Sequence, residues 1–118
     1  MSDRRAALGR RAETQVCKYL ESQGFEILGR NVRVGRLELD IIARRAGLVA
    51  FCEVRARSSD RVMTPAQSID AAKVQRIRRA AAQWLRLAAL GRTEIRFDAA
   101  SVVYDTPEGR LNYLEGAF

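Results

Sequence analysis

Two apolar runs, LELDIIA from Leu37 and LVAFCEV from Leu48, lie so close together that only a short turn at Ala46-Gly47 fits between them. No other feature constrains the fold as strongly. Runs of this length, rich in branched side chains and joined by a tight turn, read as neighbouring antiparallel strands, Leu37 to Arg44 and Leu48 to Arg57. Their nearly continuous apolar character implies burial on both faces, so they belong at the centre of a sheet. The turn also fixes a register in which Asp40 lies opposite Glu53 and Glu38 opposite Arg55. Like charges facing each other destabilise a sheet, and buried carboxylates require compensation. A cation between Asp40 and Glu53 resolves both difficulties, which points to a divalent metal site. The alternative is two ordinary strand acids, each satisfied by an arginine.

The remaining elements follow from periodicity. Leu8, Ala12, Val16, Tyr19 and Leu20 recur at helical spacing, predicting a first helix over Ala7 to Ser22 with Gly24 as its stop. Phe25 to Val34 reads as a first strand. After the loop Ser58-Ser59-Asp60, Thr64-Pro65 resembles a cap followed by proline at the first helical position, opening a long helix to about Leu90 that Gly91 closes. Ser68 or Asp70 could instead cap a fresh start within it. Glu94 to Tyr104 reads as a strand, Thr106-Pro107-Glu108-Gly109 as a turn, and Leu111 to Leu114 as a short last strand. The order predicts an α/β sandwich around a mixed central sheet flanked by helices, with one crossover through the long helix.

On the long helix, Val74, Ile77, Ala81, Trp84, Leu85 and Ala88 form an apolar arc. Arg76, Arg79, Gln83 and Arg86 lie opposite, and Lys73 falls at the border. The stripe is either a solvated face or a clamp for a phosphate backbone, with Lys73 near enough to the sheet to approach a phosphate. Trp84 belongs to the core side rather than to a base-stacking platform.

Composition narrows the chemistry. At 118 residues the chain, 1–118, holds one domain, and no apolar run reaches the length of a membrane span. The basic opening MSDRRAALGRR lacks a following apolar segment, so a cytoplasmic location is expected. The net charge of +7, nearly all of its basic side arginine, suggests a polyanionic partner, most economically nucleic acid. With no histidine, Ser-His-Asp and Cys-His catalysis are excluded. Two cysteines without Cys-x-x-Cys spacing exclude the usual structural zinc sites, and Cys17 and Cys52 fall where small buried thiols are found. Carboxylates, lysine, arginine and a metal remain. Divalent ions held by clustered carboxylates can assist phosphodiester hydrolysis at the water, the phosphorus and the leaving oxygen. Asp40, Glu53 and the backbone carbonyl of Val54 would form a partial shell for Mg²⁺ or Mn²⁺. Glu13 on the first helix adds a further carboxylate or is an exposed acid paired with arginine.

Asp40, twelve intervening residues and then Glu53-Val54-Arg55 resembles the PD-(D/E)XK signature of restriction-endonuclease-like nucleases. A longer match, from Leu8 to Val103, is to the bacterial YraN family, which is related to Holliday-junction resolvases. It is carried by LGRRAE, YLESQGFEILGRNVR, ELDIIA, LVAFCEVRARS, the Lys73 region and RFD. The resemblance implies a restriction-endonuclease-like αβββαβ core, an acidic site of Glu13, Asp40 and Glu53, and Lys73 and Arg57 close to it. By analogy with resolvases it also implies a homodimer.

The chain departs from the family in two places. Arg55 stands where the superfamily has lysine, and Leu37 where relatives carry glycine. Arginine cannot act as a base but can neutralise a phosphate or the transition-state charge. The function expected is therefore a metal-dependent endonuclease-like protein hydrolysing DNA, with branched or structured forms included. Asp40, Glu53, Arg55 and Glu13 would be its catalytic residues, and Lys73, Arg76, Arg57 and Arg79 would bind the nucleic acid. The alternatives are a noncatalytic nucleic-acid-binding module on the same fold and a protein-interaction adaptor with a solvated basic face. Glu38 is expected to pair with Arg55, and Asp98 to anchor an arginine.

Overall fold

The computed structural model describes residues 3–58 and 69–118. Its elements are α1 (Asp3–Ser22), β1 (Glu26–Val34), β2 (Leu37–Arg45), β3 (Leu48–Arg57), α2 (Ala71–Ala88), β4 (Glu94–Val103) and β5 (Arg110–Leu114). The strands form one mixed sheet in the order β1-β2-β3-β4-β5. All neighbours are antiparallel except β3 and β4, which run parallel with α2 between them in sequence. β2 and β3 are thus interior strands, as their apolar sequences require.

The end of α1 shows why this chain turns where it does. Phe25 N–H bonds the Leu20 carbonyl and Gly24 N–H bonds that of Glu21, both at 3.0 Å. Gly24 takes a φ of 88°, which a side chain resists. This double bond is a Schellman closure, and Leu20 and Phe25 pack in the same core to complete it.

At α2 the expected start at Thr64-Pro65, like Ser68, lies outside the described residues. Within them the helix opens at Asp70, whose Oδ1 accepts from the Lys73 N–H at 2.8 Å. It also ends earlier than expected. Ala89, not Gly91, takes the left-handed cap, with φ and ψ both 50°, and donates to the Leu85 carbonyl.

Each face of the sheet is covered. Ala12, Val16 and Leu20 of α1 pack with Ile41, Ala50 and Val102 on one side. Ile77, Ala80 and Ala81 of α2 pack with Leu39, Phe51 and Phe97 on the other. Trp84 meets Phe51 edge-on at 5.9 Å between ring centres, so it belongs to the core as its place in the apolar arc requires. No helix among the described residues is long and apolar enough to cross a membrane.

Candidate active site

β3 alternates in the ordinary way: Val49 and Phe51 face α2, while Ala50, Cys52 and Val54 face α1. Glu53 therefore falls on the α2 face, where its side chain is only 7% exposed. There its Oε1 meets Lys73 Nζ at 2.9 Å. Lys73 can reach because the Asp70 cap places it in the first turn of α2, above the end of β3.

β2 does not alternate so simply. Leu39 packs on the α2 side and Ile41 on the α1 side, although residues two apart normally share a face. The irregularity centres on Asp40. The β1–β2 pairing passes from Arg30–Ile41 to Val32–Leu39 without Asn31 or Asp40, and Asn31 has a φ of 50°. On the other side the β2–β3 ladder stops at Ile41–Cys52. That register is the expected one, and its next step would set Asp40 opposite Glu53. In place of a backbone pair, the Asp40 carboxylate itself accepts the Val54 N–H at 2.9 Å. A side chain has taken over a ladder bond, which holds the carboxyl beside β3.

Asp40 and Glu53 share a small cleft floored by Leu39, Phe51 and Ile77, which with Lys73 on Glu53 is too tight to admit a water molecule. Burial there pushes the Asp40 carboxyl up from 3.8 to about 7. Glu53 adds to the rise, the Val54 N–H opposes it, Glu13 raises it further and Lys73 lowers it. Glu13 thus lies within electrostatic reach, held on α1 by Arg30 at 3.7 Å and by the Asn31 amide at 3.1 Å. Among the described residues, no three acidic or thiol side chains converge tightly enough to enclose an ion. The cleft offers two carboxylates, with Glu13 farther off.

The neighbouring charges depart from expectation in one case and exceed it in another. Glu38 does not face Arg55. It is paired in register with Arg33 of β1 and meets that guanidinium at 3.9 Å in solvent, because the β2–β3 ladder ends before reaching it. Asp98 is the structural anchor expected of it, and more firmly held than an arginine alone would make it. It is fully buried and accepts from Arg96 Nε at 2.8 Å and Nη2 at 3.0 Å, from the Tyr113 hydroxyl at 2.5 Å and from the Gly116 N–H at 2.9 Å.

The basic residues divide into two groups. Arg76 and Arg79 are exposed on α2 and, with Arg36 of the β1–β2 turn, line a groove of about 210 Å³. Arg55 and Arg57 stand at the end of β3, beyond Glu53, and border a larger cavity with Arg5 of α1. The sequence did not single out Arg5, Arg36, Arg30 or Asn31. Only Asn31 carried a local signal, since asparagine tolerates positive φ better than most residues.

The sequence pattern of uncharacterised protein family UPF0102 matches residues 12–102, a span that contains Glu13, Asp40, Glu53 and Lys73. The chain belongs to this family. A UPF0102 protein of Sorangium cellulosum is 42% identical over 121 residues, covering 99% of this chain and 84% of the relative. One from Syntrophotalea carbinolica is 37% identical across 100% of this chain and 96% of its own. A third, from Frankia alni, is 39% identical over 95% of this chain and 94% of its own. The family is the YraN-type group that the sequence motifs resemble. None of these relatives' names states a reaction.

Proposed function

We propose that this protein is a metal-dependent endonuclease-like enzyme acting on the phosphodiester bonds of DNA, branched or structured forms included. The observation that carries this is the pairing of Asp40 and Glu53 in one cleft, with Asp40 fixed by the Val54 N–H and its carboxyl pushed up to about 7. Two carboxylates forced together in an apolar cleft form a site that gains from a cation.

The donors fit Mg²⁺ or Mn²⁺ in kind. Magnesium takes one or two protein carboxylates and completes its shell with water and substrate phosphate, so a two-carboxylate cleft suffices. The Val54 carbonyl is the third candidate ligand, because a strand residue aims its N–H and C=O at the same neighbour. Bound there, the ion would supply charge neutralisation at phosphorus and a water of lowered pKa. The protein's own residues do the rest. Asp40 and Glu53 hold the ion, Arg55 neutralises charge on the phosphate, and Glu13 reinforces the negative potential that draws the cation. Arg76, Arg79 and Arg57 grip the strand's phosphates. Lys73 stands beside Glu53 and would share with the ion the neutralisation of the substrate phosphate.

That same ion pair favours a second reading. A lysine ammonium 2.9 Å from Glu53 already neutralises one acid of the pair, as a nucleic-acid-binding module without catalysis would require. One experiment separates the two: incubation of linear, flapped and four-way DNA with and without Mn²⁺, with Glu53→Ala as control. Mn²⁺-dependent cleavage lost in Glu53→Ala is the expected result. DNA binding indifferent to Mn²⁺, with no cleavage of any substrate, refutes the enzyme and leaves the module.

A further inference from the structure

The cavity beyond Glu53 has a built character that the acidic cleft does not explain. It encloses about 410 Å³, within the range of sites that take a small ligand, and it is lined by Arg5, Gly9, Val54, Arg55, Ala56 and Arg57. Three of these six residues are arginines, drawn from two elements, and among the described residues no acid borders the space. Arg5 and Gly9 lie four residues apart on α1 and so share one helix face. A Cβ added at Gly9 would meet nothing within 4 Å, so the glycine leaves the space beside it open. The Arg57 Nε is buried and has no hydrogen-bond partner among the described residues. A buried donor left unmatched is costly, and an anionic oxygen entering the cavity would satisfy it.

We infer that this cavity is a nucleotide subsite, holding one phosphate of a DNA strand by Arg5 and Arg57 on the α1 face of the sheet, along β3 from Glu53. The inference rests on the proposed nuclease reading for its substrate but not for its test. Val54 and Arg55 form the cavity wall and directly follow Glu53 in β3; the cavity opens on the α1 face and Glu53 on the α2 face, so a strand would pass from one to the other across the edge of β3 that β2 leaves unpaired beyond Cys52. The volume suits a nucleotide better than a bare anion. Arg5 and Gly9 lie before the family-matched span, which begins at residue 12.

The test is binding, measured by fluorescence anisotropy of a labelled twelve-residue thymidine oligonucleotide with EDTA present, so that neither metal nor cleavage enters. Competition by thymidine monophosphate and by inorganic phosphate is measured in parallel. Arg57→Ala and Arg5→Glu should each weaken oligonucleotide binding about tenfold and lower the dependence on salt by roughly one phosphate contact. Gly9→Leu fills the cavity without touching an arginine and should weaken binding comparably. Helical leucine is also favoured over glycine, so that variant stays folded even if Arg57→Ala does not. Thymidine monophosphate should compete with the wild type well below the concentration at which phosphate does. Unchanged affinity and salt dependence in Arg5→Glu and Gly9→Leu overturn the subsite. Equal competition by phosphate and the nucleotide overturns its assignment to a strand. Absence of Mn²⁺-dependent cleavage by the wild type, with these binding effects intact, would count against the enzyme and leave the subsite standing.

Discussion

Replacing Asp40 with asparagine isolates the electrostatic cost of the acid pair. The amide keeps an oxygen that can accept the Val54 N–H, now 2.9 Å from Asp40 Oδ2, but it cannot ionise. In the folded protein the Asp40 carboxyl is pushed up from 3.8 to about 7, first by burial and then by Glu53. Because the folded value lies above the unfolded one, between about pH 4 and about pH 7 the folded state holds a proton that the unfolded chain has lost. Stability is therefore fullest below this window and declines as pH rises through it. A pKa difference of one corresponds to about 1.36 kcal/mol, so the whole decline is on the order of 4 kcal/mol. Urea denaturation across this range in EDTA measures it directly. The wild type should lose stability as pH rises through the window, while Asp40→Asn should lose far less and be the more stable protein at about pH 8. Mn²⁺ should restore the wild type at high pH and leave the variant unmoved, since the ion binds the ionised pair. If the wild type and the variant show the same pH profile without metal, the carboxyl is not held in a repulsive cleft and the metal-site argument fails with it.

Other outcomes follow from the same geometry. Lys73→Met removes the cation from Glu53 and should destabilise the metal-free protein by about 2 kcal/mol, between the exposed and buried limits for ion pairs, while tightening Mn²⁺ binding; calorimetry reads both. Asp98→Ala strands Arg96, the Tyr113 hydroxyl and the Gly116 N–H together, and should cost on the order of 4 kcal/mol in urea denaturation without bearing on metal affinity. Burial pushes the Cys17 and Cys52 thiols up, so both should resist a thiol reagent in the native protein and react promptly in urea; fast native labelling of Cys52 would contradict the core described.

The α/β order and the register at Ala46-Gly47 were legible in the chain, because strand length, alternation and turn chemistry are local properties. So were the core place of Trp84 and the role of Asp98. What failed was nonlocal. Glu38 goes to Arg33 because β2 parts from β3 at Asp40, and no local pattern announces where a ladder will stop. The end of α2 shifted for a related reason: Gly91 is the better left-handed residue by propensity, yet Ala89 takes the cap.

By itself the sequence determined that two acids would come to neighbouring strands at the centre of one sheet, since a short turn joins the two apolar runs that carry them. The tertiary structure decided what surrounds them. α2 brings Lys73 onto Glu53, α1 brings Glu13 within reach of Asp40 and Arg5 to the end of β3, and Asn31 occupies the gap in pairing opposite Asp40. Each of these contacts joins residues far apart in the chain, and their energies depend on burial, which exists only once the layers have packed.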